Sequence, residues 1–254
     1  MFSKYSYRYF VLLAIATFWE TLAFSVFVAD TRAQTFEPPT SNPTPTISIG
    51  GGRRGSDGQC MKDINIQSRS GKIKKSLDQQ LIPLIPNNKI GLTISANPIL
   101  SAYIPETSAI AVEVTLENMQ GKGISSKRIE LTNTPSVVNV QFETTPLEVG
   151  KDYKWLISVI CETGDPEDNF SEGIIRRIKP DSTLMNKLEK ASAIEKVYIY
   201  AKSGIWYEAI ADLVNLRLSE PSNPELKTNW LNLLKSSSLE SLANAPLNNY
   251  KAFR

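Results

Sequence analysis

Apolar and polar positions follow two different periods along this chain, and the period changes at Pro180. Between Ile90 and Lys179 they alternate in short runs, which is typical of half-buried β-strands. The predicted strands cover residues 91–95, 99–104, 110–116, 127–131, 137–142, 153–160 and 174–178. Seven short strands separated by turn signals predict an antiparallel β-sandwich of the immunoglobulin or fibronectin type.

A short motif before the sixth predicted strand supports the sandwich. The segment Leu147-Glu-Val-Gly150-Lys-Asp-Tyr153 has the Leu-x-x-Gly-x-x-Tyr spacing of a tyrosine corner. In such a corner the Tyr hydroxyl bonds to backbone a few residues upstream. Trp155 follows on the same face of the strand, since successive side chains alternate between faces. Ordinary core packing is the alternative, and either interpretation gives Tyr153 and Trp155 a structural role.

After Pro180 the apolar residues recur every three or four positions, which predicts three helices over residues 181–245. Asp181 or Ser182 caps the first helix, which continues to a break at Ser203-Gly204. The second helix begins after this break and stops at Pro221, and the third follows. We interpret the apolar stripes of these helices as core-facing.

The first two predicted helices resemble one tetratricopeptide repeat. Residues 190–223 match its pattern at Tyr200, Gly204, Trp206, Ala209, Leu213 and Pro221, and depart from it at Ala193, Val197 and Leu216. One such pair is too short to build a superhelical groove, so we expect it to pack as a cap on the third helix and the sheet. Tyr198 and Lys202, on the open face of the first repeat helix, are the candidate partner-binding residues.

The first 33 residues are typical of a targeting segment. Lys4 and Arg8 precede an apolar stretch over residues 9–29, and Thr31-Arg-Ala33 supplies small residues for a cleavage site. A cleaved signal peptide and an uncleaved membrane anchor over residues 9–29 both remain open. Either places the rest of the chain outside the cytoplasm, in a periplasm or the extracellular space, with membrane contact only through an uncleaved anchor.

The remaining organisation follows from composition and from the two cysteines. Residues 34–59 are rich in Pro, Thr, Ser and Gly, which predicts a disordered linker. We assign residues 60–180 to the sandwich domain, 181–245 to the helical segment and 246–254 to a tail. Cys60 and Cys161 are the only cysteines. A disulfide is the simplest interpretation in an exported chain, and two separate buried thiols are the alternative.

Charge and composition restrict the function classes. The formal net charge is +2 over 254 residues, and histidine is absent. A near-neutral chain offers no electrostatic footprint for nucleic acid, and the missing imidazole removes the commonest general base and zinc ligand. No motif indicates a catalytic centre, a cofactor site or a metal site, so we predict no catalytic, cofactor-binding or metal-binding residues. Carboxylates, Lys and Tyr still leave enzyme activity open.

Several motifs in order along the chain carry a resemblance to a known family. They are Gly52-Arg-Arg-Gly55 before Cys60, Leu81-Ile-Pro-Leu-Ile-Pro86, Gly91-Leu-Thr93, Pro146-Leu-Glu-Val-Gly-Lys-Asp-Tyr-Lys-Trp155, Glu172-Gly-Ile-Ile-Arg176 and Tyr200-Ala-Lys-Ser-Gly-Ile-Trp-Tyr-Glu-Ala209. Over roughly residues 50–245 the chain resembles a cyanobacterial family of exported proteins, domain of unknown function 928. The resemblance implies export and one shared fold, and no activity that can be carried over.

Three hypotheses for function follow. The first is a non-catalytic interaction or scaffold module of the cell envelope or thylakoid lumen, whose partner is another envelope protein. The second is a carboxylate-based envelope hydrolase acting on glycans, although no two carboxylates are paired by the sequence. The third is a small-ligand-binding sandwich that uses Tyr103, Trp155 or Trp206 as stacking platforms.

Overall fold

The computed structural model describes residues 36–37, 60, 80–87, 90–142, 146–161 and 166–248. The predicted export segment, residues 1–33, lies outside the described residues, as does most of the predicted linker. Among the helices described, none is long and apolar enough to cross a membrane.

The described chain runs through a β-rich part and then a helical part. The strands are β1 Ile82–Pro83, β2 Gly91–Thr93, β3 Ile99–Ile104, β4 Ala111–Asn118, β5 Gly123–Glu130, β6 Ser136–Gln141, β7 Asp152–Ile160, β8 Pro166–Arg177 and β9 Leu247–Asn248. The helices are α1 Ser182–Lys190, α2 Ala193–Lys202, α3 Trp206–Ser219 and α4 Pro224–Lys235, and a 3₁₀ turn covers Glu240–Leu242.

The strands form two sheets, with the orders β1-β3-β6-β9 and β2-β8-β7-β4-β5. The seven predicted strands correspond to β2 through β8, so the mainly β architecture with two sheets is confirmed. The prediction of purely antiparallel pairing is wrong at two places, because β2 runs parallel to β8 and β9 runs parallel to β6. Alternation of side chains tells which face a residue occupies, and it carries no information about the direction of the neighbouring strand.

Strand β7 shows how the sequence pattern builds the core. Tyr153, Trp155, Ile157 and Val159 alternate with more exposed residues and are all at most 6% exposed. Because side chains of a strand alternate between faces, this places one face of β7 against the interior. The same cluster of buried side chains includes residues of both sheets and of helices α2, α3 and α4.

The helical segment has four α-helices among the described residues, where the sequence pattern predicted three. The first predicted helix is interrupted at Ala191-Ser192, because Ser192 forms a capping box with Glu195 that starts α2. The Ser192 backbone N–H donates to the Glu195 carboxylate at 2.7 Å, and the Glu195 N–H donates to Ser192 Oγ at 3.4 Å. These two reciprocal hydrogen bonds satisfy two backbone donors at the N-terminus of α2. The break between the helices depends on these polar contacts, so the spacing of apolar residues did not reveal the break.

The two strands absent from the prediction are both two residues long. β9 lies in the predicted tail 246–254, yet Leu247 and Asn248 pair with Val137 and Val138 of β6. β1 pairs with β3 through Ile82 and Pro83. Strands this short have no readable alternation, so only the surrounding tertiary structure defines them.

Candidate functional site

The start of α3 is the point where the helical segment is fixed to the sandwich. Trp206 is fully buried, and its indole Nε1–H donates to the carbonyl oxygen of Leu84 at 2.8 Å. The hydroxyl of Tyr207 accepts from Trp155 Nε1–H at 2.9 Å and donates to the Ile174 carbonyl at 3.2 Å. Two buried indole donors are therefore satisfied across the contact between helix and sheet, which a buried polar group requires.

Glu208 continues the same contact toward strand β2. Its Oε1 atom accepts from Thr93 Oγ1 at 2.5 Å and from the backbone N–H groups of Ile94 and Ser95 at 3.0 and 2.9 Å. Its Oε2 atom is buried without a hydrogen-bond partner. Burial raises the pKa of Glu208, and the hydrogen bonds from Thr93 and Ser95 oppose this effect. The arrangement holds the carboxylate in one place, as a clamp between α3 and the end of β2.

Two glycines make this contact possible. A Cβ atom on Gly91 would lie 2.4 Å from Cε2 of Tyr207, and one on Gly173 would lie 2.6 Å from Nε1 of Trp155. Real Cβ atoms do not approach other heavy atoms so closely. The absence of a side chain at both positions therefore makes room for the two aromatic side chains that carry the hydrogen bond.

The predicted structural residues occupy the interior or its edge. The Tyr153 hydroxyl accepts from the Glu148 backbone N–H at 3.0 Å, which is the geometry expected for a tyrosine corner. Ala209 is buried on α3, and Gly204 is buried with φ of +69°, where a side chain would be strained. Pro221 is exposed between α3 and α4.

The two cysteines form a disulfide, with their Cα atoms 5.8 Å apart. It joins Cys60 to the residue that follows β7. The backbone carbonyl of Cys60 also accepts from Thr107 Oγ1 at 2.6 Å and from the Ser108 N–H at 3.1 Å. The cysteine is therefore tied to the sandwich by its side chain and by its backbone.

Of the two predicted partner-binding residues, Lys202 contacts another part of the same chain, and Tyr198 lies beside it on α2. Lys202 forms an ion pair with Glu37, and its Nζ atom lies 5.9 Å from the centre of the Tyr198 ring. Glu37 comes from the predicted linker, and its neighbour Phe36 is only 5% exposed. Lys202, which the sequence suggested to lie on an open face, is thus paired with Glu37.

A solvent-open groove runs along the other side of α2, between this helix and α3. It has a volume of about 350 Å³ and is lined by Ala193, Lys196, Asp212, Asn215, Leu216 and Ser219. Burial raises the pKa of Asp212, and the positive charge of Lys196 opposes the effect. Within the described part of the chain, the Asp212 carboxylate has no hydrogen bond or ion pair to compensate its partial burial.

Other titratable groups of α2 and α3 are perturbed as well. Burial, with smaller contributions from Asp212 and Glu208, raises the pKa of Tyr200 to about 12. Burial lowers the pKa of Arg217, whose guanidinium lies 5.3 Å from the centre of the Trp230 ring. Perturbed groups concentrate at functional sites more often than elsewhere, which directs attention to this helix pair.

Sequence reasoning missed Tyr207, Glu208 and Asp212. Tyr207 and Glu208 stand inside the Trp206-Tyr-Glu208 run, and three consecutive residues with polar atoms at the start of an apolar helix were the available signal. Asp212 lies about one turn after Glu208 on α3, but Glu208 bonds to strand β2, whereas Asp212 lines the groove beside α2. Its partial burial depends on the packing of α2, which no local pattern reveals.

Two observations concern ligand stacking and metal binding. Tyr103, Trp155 and Trp206 are 5%, 0% and 0% exposed, so none of them offers a surface for stacking a ligand. In the described ranges, no group of three or more His, Cys, Asp or Glu side chains is arranged to hold a metal ion.

The architecture is a two-sheet, mainly antiparallel β-sandwich onto which a C-terminal helical segment is fixed by buried hydrogen bonds. The family model described as Domain of Unknown Function (DUF928) matches residues 49–247, and the chain belongs to this family. The match covers the sandwich and all four helices. No curated protein matches the chain.

Solved structures with partial likeness include the fn3 domain of the human collagen alpha-1(XX) chain, at 14% identity, covering 45% of this chain and 93% of that domain with a TM-score of 0.25. A domain of a Methanosarcina acetivorans protein is 13% identical, covering 41% of this chain and 95% of that one with a TM-score of 0.28. Astrotactin-2, a vertebrate-specific and perforin-like membrane protein, is 14% identical, with coverages of 64% and 37% and a TM-score of 0.26. TM-scores this low support no inference about the function of the present chain.

Proposed function

We propose that this protein is a non-catalytic interaction module of a cyanobacterial cell envelope or thylakoid lumen, exported through residues 1–33. In this proposal the sandwich is a rigid base, and the helix pair α2–α3 presents the surface that binds another envelope protein. The proposal agrees with the tetratricopeptide-like pattern of residues 190–223, because such helix pairs hold protein partners.

The observation that carries this proposal is the open groove in which Lys196 and Asp212 present opposite charges. Asp212 is partly buried and makes no hydrogen bond within the described residues, so its carboxylate can accept from a ligand that brings a donor. Lys196 contributes a positive charge to the same groove. A polypeptide offers both kinds of group, since its backbone N–H and basic side chains donate to Asp212 and its carbonyls accept from Lys196.

The rigidity of the opposite side of α3 supports the same assignment. Trp206, Tyr207 and Glu208 fix the start of α3 to the sandwich with six hydrogen bonds. A helix held in this way keeps one orientation before a partner arrives. Less ordering is then required on binding, which favours affinity.

Site-specific photo-crosslinking tests the proposal directly. We would place a photoreactive amino acid at Asn215, which is exposed and lines the groove, and expose the full chain to envelope and lumen fractions. The matched control carries the same amino acid at Lys227, an exposed residue of α4 that does not line the groove. We expect a discrete crosslinked partner from position 215 only.

A second variant decides whether the groove chemistry matters. Asp212→Ala is added to the protein that carries the photoreactive amino acid at position 215. This change removes the carboxylate from the groove, and we expect the crosslinked band to weaken at least several-fold. Absence of any crosslink at position 215, or the same set of products from positions 215 and 227, would contradict the assignment of the groove.

A further inference from the structure

Phe36 and Glu37 lie against the helix pair, at the end of α2 and the start of α3. The ring of Phe36 meets the ring of Trp206 edge-on, with centroids 4.8 Å apart and planes at 80°. The backbone N–H of Glu37 donates to the carbonyl oxygen of Ala201 at 2.9 Å, and its carboxylate pairs with Lys202. Two consecutive residues thus make one aromatic, one backbone and one ionic contact.

Each contact selects a different property of the residues that bind. The face and edge of an indole favour an aromatic ring in this T-shaped arrangement. The ammonium group of Lys202 favours a carboxylate at the following position. The Ala201 carbonyl belongs to the last turn of α2, where it accepts from the Gly204 N–H at 3.3 Å and has a second lone pair for a backbone N–H from elsewhere.

We infer that Ala201, Lys202 and Trp206 form a recognition site for an aromatic residue followed by an acidic residue, and that the chain fills this site with its own Phe36–Glu37. A polypeptide carrying the same dipeptide would bind here once Phe36–Glu37 leaves. We call this surface the Phe-Glu site.

The Phe-Glu site is separate from the α2–α3 groove. Lys202 lies roughly 120° around the helix axis from Lys196, given a rotation of about 100° per residue. The inference therefore stands on contacts that the proposed function does not use, and either can fail without the other.

Covalent connection gives the chain's own dipeptide a large advantage over a free peptide. Residues 38–59 link Glu37 to Cys60, whose disulfide fixes the far end of this segment to the sandwich. A ligand tethered in this way experiences an effective concentration on the order of millimolar. A free peptide at micromolar concentration should therefore fail to bind the wild-type chain and should bind a variant whose own dipeptide is removed.

The experiment measures binding of a fluorescein-labelled peptide with the sequence of residues 33–42 by fluorescence anisotropy. The proteins are the full wild-type chain and the full chain carrying Phe36→Ala and Glu37→Ala. We expect at least tenfold tighter binding to the double variant. A peptide with Ala in place of Phe36 is the matched control and should lose that binding.

A charge reversal tests the role of Lys202. Adding Lys202→Glu to the double variant should abolish binding of the original peptide, and a peptide with Lys in place of Glu37 should restore it. Circular dichroism checks that each protein is folded. Should the double variant fail to fold, Glu37→Ala alone removes the carboxylate that holds the dipeptide to Lys202, and the same comparison is made with a smaller expected gain in peptide binding.

The inference is overturned by equal peptide binding to wild type and variant, or by a folded variant that binds neither peptide. It is also overturned if the charge-reversed pair shows no recovery, because Lys202 would then contribute nothing to selection of the acidic residue.

Discussion

Replacing Gly91 by alanine should destabilise the protein because the new Cβ atom collides with Tyr207, a residue distant in sequence. The new Cβ atom would lie 2.4 Å from Cε2 of Tyr207, whereas ordinary contacts begin at 3.4 Å. The Tyr207 ring must therefore retreat by about 1 Å or the strand must move. Tyr207 is 2% exposed, so the space around its ring is already filled.

The expected cost combines two effects. Overpacking in a filled interior costs typically 1–3 kcal/mol. A displaced Tyr207 hydroxyl also stretches its hydrogen bonds to Trp155 and Ile174, now 2.9 and 3.2 Å long, and each net loss costs about 1 kcal/mol. We therefore expect Gly91→Ala to lower the free energy of unfolding by roughly 2–5 kcal/mol.

Urea unfolding followed by circular dichroism measures this difference, with Gly123→Ala as the matched control. Gly123 is also in a strand of the five-stranded sheet, but a Cβ atom there has no heavy atom within 4 Å. We expect the control to change stability by no more than about 0.5 kcal/mol. Equal stability of the two variants would show that Tyr207 does not fill the space over Gly91.

Three further predictions concern single side chains. Tyr207→Phe should cost about 1–3 kcal/mol, because it leaves the buried indole N–H of Trp155 without an acceptor; an unchanged urea midpoint would contradict the hydrogen bond. Because the folded pKa of Glu208 is raised above 4.5, its contribution to stability is greatest below that pH and falls as the pH rises through the folded value. The stability of wild type relative to Glu208→Gln should therefore decline as the pH rises above 4.5, and a pH-independent difference would refute the shift. Cys60→Ser opens a loop with a sequence separation of 101 residues and should cost up to about 4–5 kcal/mol, lowering Tm by several degrees; an identical melting curve for oxidised wild type would exclude this contribution.

The sequence was sufficient to predict seven of the nine described strands because their signal is local. Residues such as Tyr153 and Trp155 alternate with polar neighbours, and the structure places both in the interior. The direction of β2 and β9 depends on strands far away along the chain, and alternation does not encode it. The split between α1 and α2 depends on one capping box, whose Ser192 and Glu195 are ordinary residues for a helix surface.

The candidate sites were predictable only in part, for a related reason. Lys202 was assigned to an exposed helix face from its spacing, and its pairing with Glu37 joins residues separated by 165 positions. Asp212 acquires its raised pKa from burial beside α2, which is a property of the assembled helices. Composition suggested a linker for residues 34–59, and the burial of Phe36 was not predicted because its partner Trp206 lies far away along the chain.

The contact at the start of α3 also determines which part of the chain recombination can exchange as a stable unit. A recombination that joined the sandwich to a different C-terminal segment at residue 180 would remove Tyr207, leaving the indole N–H of Trp155 without its acceptor and an unfilled space above Gly91. The helices, transferred alone, would expose Trp206 and Tyr207 to water. Sandwich and helices are therefore expected to pass together through gene duplication and fusion, as one module of about 200 residues rather than two.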